Sequence, residues 1–186
     1  MARSMHSLLL KGLSGKLGKE LVVKKYGDKI VLSKYPDMSL VKTSPLQKLK
    51  RARFAEAMKY AQEQLRTEEG RTLYATRATA SKRALNVAMS DFYHAPKVKH
   101  IDLRAFKGKE GDFVFVQAED DFQVVNVEMH IYFVNNVLVE QGGAALNKKG
   151  WWEYRIKNAY PDLIGLKLKA TAWDRPRNEG SLEVGL

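Results

Sequence analysis

The sequence predicts an α+β protein with an N-terminal β-ribbon, about three helices and a C-terminal antiparallel β-sandwich of about seven strands. Three observations lead to this prediction. Two β-prone runs near the N-terminus flank a Gly-Asp pair, and three central stretches repeat apolar residues at helical spacing. From residue 98 onward, apolar and polar residues alternate. Because the period changes there, we expect two domains, residues 1–96 and 97–186.

The ribbon is predicted first along the chain. Residues 20–26 and 29–35 are rich in β-branched and aromatic side chains, and the Gly-Asp pair between them suits a two-residue hairpin loop. Pro36 has no N–H to donate, so pairing should end there. The glycines of residues 12–18 do not form a Walker loop, because Leu17 stands where that motif requires Ser or Thr. We interpret them as turns.

Three helices are predicted between the ribbon and the sandwich. The first spans residues 45–66, with Ser44 as its N-cap and a glutamine three residues later. Its apolar stripe is predicted to comprise Leu46, Leu49, Phe54, Met58, Ala61 and Leu65. Thr67 caps a second, shorter helix that contains Gly70. The third spans residues 81–93, and its buried face is predicted to comprise Ala84, Leu85, Ala88 and Phe92.

The second half of the chain contains the strand candidates. They are residues 98–104, 112–118, 124–133, 137–141, 151–157, 165–173 and 182–186. The clearest alternation lies in 124–133, where every second side chain is apolar. Short alternating strands separated by turns favour an antiparallel sandwich.

Two resemblances support this organisation. Residues 97–186 resemble an immunoglobulin or fibronectin type III-like module in strand rhythm and in an Ala-x-Asp stretch that begins at Ala172, where Arg177 occupies the usual glycine position. The whole chain resembles an uncharacterised family of bacterial proteins in which a glycine-punctuated ribbon and helices precede a sandwich. The matching pieces are residues 12–18, 33–36, 86–88 and 91–92, together with the sandwich. The resemblance implies an architecture and no activity.

Positive charge is concentrated in the first half of the chain. The net charge is +11, and residues 1–96 hold 19 Lys and Arg against 8 Asp and Glu, whereas residues 97–186 hold 13 of each. This asymmetry predicts an acidic partner, either an acidic protein face or nucleic acid. A merely solvated basic surface is the alternative. The contact residues are predicted to be Lys48, Lys50, Arg51, Arg53, Lys59, Lys82 and Arg83.

The sequence contains few residues in catalytic or metal-binding patterns. The absence of cysteine excludes disulfides and thiolate metal sites. The four histidines have no zinc-site spacing, and no Gly-x-Ser-x-Gly elbow occurs. We therefore predict no catalytic residue, cofactor or metal ion. One question stays open, namely whether the loop acids of the sandwich bind calcium or pair with Arg175 and Arg177. These acids are Glu119, Asp120, Asp121 and Asp174.

The tryptophans suggest a second surface. Trp152 is predicted to lie in the core, while its neighbour Trp151 is more exposed. A partner patch is predicted from Trp151, Trp173, Arg155, Lys167 and Lys169. The alternative is that these rings pack against the helical half.

These observations predict a non-enzymatic interaction or assembly protein, whose basic helical part docks on an acidic partner while the sandwich acts as a rigid scaffold. A sequence-tolerant nucleic-acid binder that uses helix 45–66 is the second hypothesis. A hydrolase with a site near His94 and His100 is the third. Without an apolar run of about 20 residues or a secretory segment, we expect a cytoplasmic protein without membrane contact. The oligomeric state is not predicted.

Overall fold

The computed structural model describes residues 2–4, 12–26, 29–37, 39 and 42–186. The chain forms two compact units, residues 1–48 and 49–186, called here the N-terminal and C-terminal units. This division groups most of the helical segment with the strands that follow it. The predicted boundary at residue 97 marks the change from helices to strands.

The fold is α+β, with three helices and three antiparallel sheets in the described residues. The helices are α1 (Pro45–Gln64), α2 (Glu68–Ala75) and α3 (Ala84–Tyr93). The strands are β1 (Ala2–Ser4), β2 (Gly15–Leu17), β3 (Leu21–Tyr26), β4 (Lys29–Lys34), β5 (Lys97–Asp102), β6 (Phe113–Glu119), β7 (Asn126–Tyr132), β8 (Leu138–Gly143), β9 (Ala145–Leu146), β10 (Trp152–Arg155), β11 (Lys167–Trp173) and β12 (Glu179–Gly185). The sheet orders are β1-β4-β3-β2, β5-β6-β10-β9 and β12-β11-β7-β8. Within the described part of the chain, no helix has both the length and the apolar character that crossing a bilayer requires.

The N-terminal unit contains the predicted hairpin. Strands β3 and β4 are antiparallel, and Tyr26 pairs with Lys29. The Gly-Asp pair predicted to form the hairpin loop lies outside the described residues. Val23 and Val31 are buried. The sequence predicted a two-stranded ribbon preceded by turns. This prediction was incomplete, because β1 and β2 extend the ribbon to a sheet of four strands. These two strands have only three residues each, too few for a periodic pattern.

The start of α1 follows its predicted cap, but the predicted apolar stripe was only partly right, since Ala61 and Leu65 alone of its members pack into the core of the described residues. The Gln47 backbone N–H donates to Ser44 Oγ at 3.2 Å, and the Ser44 N–H donates to Gln47 Oε1 at 3.1 Å. The buried residues of α1 are Ala57 and Ala61. Leu46, Leu49 and Phe54 are instead 59%, 67% and 51% exposed. The core around Tyr74, Val87, Ala88 and Phe122 reaches only the C-terminal half of α1.

Helix α2 begins at the predicted cap, and its glycine has a packing role. Thr67 Oγ1 accepts a hydrogen bond from the Gly70 backbone N–H at 3.1 Å and donates one to the Gln64 carbonyl at 3.2 Å. A methyl group on Gly70 would collide with that same carbonyl. The hydroxyl of Thr67 therefore holds the end of α1 and the start of α2 together, and only glycine fits beneath the junction.

Replacing Thr67 with alanine should lower the free energy of unfolding of the C-terminal unit by about 1 kcal/mol, since the N-cap hydrogen bond is lost. Urea denaturation followed by circular dichroism measures this change. Thr67→Ser keeps the hydroxyl and should stay within about 0.5 kcal/mol of the wild type. Equal stability of Thr67→Ala and wild type would show that the cap contributes nothing.

The buried face predicted for α3 was partly wrong. The buried residues are Val87, Ala88 and Asp91, whereas Phe92 is only half-buried. The inward face is rotated by about one residue relative to the prediction, because Val87 and Ala88 pack beside Ala61, Tyr74 and Phe122. This rotation buries a carboxylate, which a pattern of apolar residues does not predict.

In the C-terminal unit, two sheets enclose one hydrophobic core. Alternate side chains of β7 and β11 are fully buried, as predicted, and face those of β6 and β10. These residues are Val127, Met129, Ile131, Leu168, Ala170, Ala172, Val114, Val116, Trp152 and Tyr154. The two sheets contain eight strands rather than about seven. The additional strand is β9, whose two residues pair with β10 and are too few to form a pattern.

Candidate functional site

Three carboxylates converge at one end of the two sheets of the C-terminal unit. Asp91 lies on α3, Asp120 in the loop between β6 and β7, and Asp174 directly after β11. One oxygen of each lies within 4.8 Å of the other two. We call these residues the aspartate cluster.

Asp91 is the deepest member of the cluster. Its side chain is fully buried, and its Oδ2 accepts hydrogen bonds from Tyr74 at 2.6 Å and from Tyr60 at 3.3 Å. Its Oδ1 has no hydrogen-bond partner among the described residues. Burial raises the pKa of Asp91 to about 6, with the Tyr74 hydrogen bond opposing the rise and the nearby Asp174 and Asp120 carboxylates adding to it. The environment therefore penalises its negative charge.

Asp120 is oriented by its own loop. Its Oδ2 accepts hydrogen bonds from the backbone N–H groups of Phe122 at 3.2 Å and Gln123 at 2.9 Å. This Asx-type turn is a local arrangement that aspartate favours. The other oxygen, Oδ1, is buried and has no partner in the described structure. Like Asp91, Asp120 thus has one oxygen bound by the protein and one left free.

Asp174 is held by the turn that joins β11 to β12. Asn178 donates its backbone N–H to Asp174 Oδ1 at 2.6 Å and its side-chain amide to Oδ2 at 2.7 Å. The same amide reaches the Phe92 carbonyl on α3 at 3.2 Å. Arg177 completes the turn with a φ of 70°, the left-handed conformation for which glycine is usual. Burial raises the pKa of Asp174, although the hydrogen bonds from Asn178 oppose this effect.

The basic side chains of the described residues do not neutralise the aspartate cluster. Within residues 42–186, neither Lys nor Arg forms an ion pair with its three carboxylates. Arg175, expected as a counter-ion, instead reaches Gln64 at 3.2 Å and Glu69 at 3.8 Å. The other candidate loop acids lie outside the cluster. Glu119 pairs with Lys99 and Asp121 with His94.

Sequence reasoning selected two members of the cluster and missed the third. Asp120 and Asp174 were among the candidate loop acids, and the structure places their carboxylates close together. Asp91 was missed because it lies in a helix. A signal was available, since Asp91 follows the predicted core residue Ala88 by three positions and hence shares its face.

A second buried carboxylate shows how a purely structural acid differs from the cluster. Glu140 on β8 is 5% exposed, and both of its oxygens accept hydrogen bonds from the protein. The donors are Tyr154, Lys157, Asn158 and Tyr160. Glu140 thus needs no additional ligand, whereas Asp91 and Asp120 each retain a free oxygen.

The predicted basic contact residues are all exposed. Lys48, Lys50, Arg51, Arg53 and Lys59 lie on α1, and Lys82 and Arg83 precede α3. Among the described residues, Lys59 alone of this set forms an ion pair, with Glu63 at 4.0 Å, and Arg53 stacks over Tyr93 at 5.4 Å. These positive charges are therefore available to a partner.

The predicted tryptophan patch is divided between two sheets. Trp151 and Arg155 belong to the β10 region of one sheet, whereas Trp173, Lys167 and Lys169 lie on β11 of the other. Trp151 and Trp173 are both half-buried, and Trp152 lies in the core as predicted. Trp151 lines an open groove of about 560 Å³. The structure does not assemble the five residues into one surface.

The two histidines at the predicted junction have different neighbours. His94 Nδ1 lies 3.0 Å from Asp121 and 2.8 Å from the Ser90 carbonyl. His100 stacks edge-on against Trp151, with ring centroids 6.3 Å apart. These contacts do not join the two histidines near which the hydrolase hypothesis placed its site.

Comparisons with known proteins provide no family assignment. No family model and no curated protein matches the chain. Among solved structures, the chain is similar to one described as a tetra-tandem repeat in the extending region of a large adhesion protein. That similarity has 19% identity and a TM-score of 0.32, and it covers 48% of this chain and 22% of the other. The chain matches less than a quarter of that protein's length, and such a weak similarity carries no functional argument.

Proposed function

We propose that the protein is a non-enzymatic interaction module that binds an acidic protein surface through the N-terminal half of α1. The observation that carries the proposal is the exposure of this segment, where apolar and basic side chains alternate. Leu49 and Phe54 are 67% and 51% exposed. Arg51 and Arg53 lie between them in the chain and are exposed as well. A helix with this composition suits a partner that has both carboxylates and apolar side chains.

The scaffold of the module is, in this proposal, an immunoglobulin-like sandwich. The strand orders of the C-terminal unit support it. The order β5-β6-β10-β9 corresponds to strands A, B, E and D of such a domain, and β12-β11-β7-β8 corresponds to G, F, C and C′. Domains with this architecture commonly present binding surfaces on a rigid core.

Nucleic-acid binding is the second candidate. It is favoured by the exposure of all seven basic contact residues, six of which form no ion pair within the described residues. Phosphate binding of this kind is electrostatic, so its affinity falls steeply as the salt concentration rises. The exposed Leu49 and Phe54 favour the protein partner, because phosphate contacts do not require apolar side chains.

Reversing three charges on α1, in the variant Lys50→Glu, Arg51→Glu, Arg53→Glu, should weaken partner binding about tenfold or more. A photo-crosslinking residue at position 49 would be introduced into the full chain, and crosslinked products would be measured in native cells. We expect a crosslink to a protein with an acidic surface. The crosslink should be lost in the triple variant, and Phe54→Ser should weaken it.

The control is the triple variant Lys109→Glu, Lys148→Glu, Lys149→Glu. It changes three exposed residues of the C-terminal unit and should leave the crosslink unchanged.

Gel shifts with a DNA duplex and a single-stranded RNA test the second candidate, nucleic-acid binding. A salt-sensitive shift that is lost in the α1 variant but kept in Phe54→Ser would replace the protein partner with nucleic acid. A crosslink that persists in the α1 variant would contradict both the acidic protein partner and the nucleic-acid candidate.

A further inference from the structure

We propose that Asp91, Asp120 and Asp174 form a calcium-binding site that joins α3 to two loops of the sheets. The inference is independent of the proposed function of α1. It begins with two oxygen atoms that the protein leaves without partners. Asp91 Oδ1 and Asp120 Oδ1 are both buried, and neither accepts a hydrogen bond from the described residues. An unsatisfied buried carboxylate oxygen is costly, and one bound cation would satisfy both atoms.

The free oxygens are held in place by the bonds made at the opposite oxygen of each carboxylate. Tyr74 fixes Asp91 at Oδ2, and two backbone N–H groups fix Asp120 at Oδ2. Asn178 donates to both oxygens of Asp174, which keep further lone pairs for a cation, and it also reaches the backbone of α3. The site is thus oriented by the surrounding protein, which is the arrangement expected when supporting hydrogen bonds orient metal ligands.

The chemistry and number of the ligands favour calcium. All three residues offer carboxylate oxygens, the hard ligands that Ca²⁺ and Mg²⁺ prefer. Mg²⁺ gives up its water ligands reluctantly and is usually held by one or two carboxylates, whereas Ca²⁺ accepts several protein oxygens. The cluster oxygens lie within 4.8 Å of one another, so all three carboxylates can contact a single ion. No lysine or arginine of residues 42–186 is paired with the cluster and would compete for this place.

The position of the site predicts its effect. Asp91 belongs to the helices, while Asp120 and Asp174 follow strands of opposite sheets. A bound cation would neutralise carboxylates that otherwise repel one another, and it would tie the helices to both sheets. Calcium is therefore expected to stabilise the C-terminal unit as a whole, since it binds the folded state alone.

The test compares thermal unfolding of the full chain in CaCl₂ and in chelator. At a calcium concentration about 100 times the dissociation constant, the Tm should rise by about 5–10 °C. Asp91→Asn keeps an acceptor for Tyr74 but removes the charge, so its Tm should no longer respond to calcium. In chelator, this variant should be at least as stable as the wild type, because carboxylate repulsion is relieved. If Asp91 had a merely structural role, Asp91→Asn would not combine a lost calcium response with undiminished stability in chelator.

Asp121→Asn is the matched control, because Asp121 lies next to Asp120 but pairs with His94 outside the cluster. It should keep the full calcium response. Calorimetric titration with CaCl₂ should show one site per wild-type chain and none in Asp91→Asn. The proposal is overturned if the wild-type Tm is the same in calcium and chelator, or if Asp91→Asn retains the response. An equal response to MgCl₂ would overturn the assignment to calcium.

Discussion

Replacing Glu140 with glutamine should lower the free energy of unfolding of the C-terminal unit by about 3 kcal/mol. Glu140 accepts five hydrogen bonds, all between 2.8 and 3.0 Å. They come from the hydroxyls of Tyr154 and Tyr160, the backbone N–H groups of Lys157 and Asn158, and the Asn158 amide. Glutamine replaces one acceptor oxygen with an NH₂ group, which is a donor. This group would face the O–H or N–H donors that now bind the carboxylate, in a place that water does not reach. Urea denaturation of the two proteins measures the difference.

The control for this change is Glu183→Gln. Glu183 is exposed and pairs with Lys167 at 3.8 Å, so its loss should change the free energy of unfolding by less than about 0.5 kcal/mol. Equal stability of Glu140→Gln and wild type would mean that the hydrogen-bond network around Glu140 does not stabilise the fold.

The destabilisation by Glu140→Gln should also depend on pH. Burial raises the pKa of Glu140, but the hydrogen bonds from Lys157, Tyr154 and Tyr160 outweigh it and hold the pKa below its usual range. Its stabilising effect is therefore complete above the pKa of an unfolded glutamate, about 4.3, and is lost as the pH falls through the lower folded-state pKa. The stability difference between wild type and variant should be largest near neutral pH and shrink in acid.

Replacing Gly180 with alanine should also cost about 3 kcal/mol of unfolding free energy. Gly180 lies on β12 opposite Ala172 of β11, and its Cα faces the backbone of Pro96, just before β5. A methyl group there would overlap the Pro96 carbonyl oxygen. Because this obstacle is backbone, the clash is relieved only if β12 or the start of β5 moves. Denaturation and the loss of dispersed amide signals in NMR spectra measure the effect.

Gly185→Ala is a matched control on the same strand. A methyl group at Gly185 meets no neighbouring atom within 4 Å, and its backbone is not in the left-handed region. This change should leave stability unaltered or raise it by about 0.5 kcal/mol through the reduced freedom of the unfolded chain. Equal effects of the two substitutions would show that the approach of β12 to Pro96 is not close.

Much of the secondary structure was predictable, because its causes are local. The Ser44 and Thr67 caps were recognised from their side chains and the residues that follow them. The strands with strict alternation, such as β7 and β11, were predicted along with their buried faces. Strands β1, β2 and β9 were missed because two or three residues do not establish a period.

The sequence by itself determined the α+β class, the caps, the alternating strands and the surplus of positive charge on the first half of the chain. Each of these depends on residues close together in the chain. Only the tertiary structure decided that Leu49 and Phe54 stay exposed and that Asp91 turns inward. It also decided which distant side chains meet, so that Asp91 lies beside Asp120 and Asp174 while Trp151 and Trp173 belong to different sheets. Burial and proximity depend on how helices and sheets pack, and no local pattern encodes that packing.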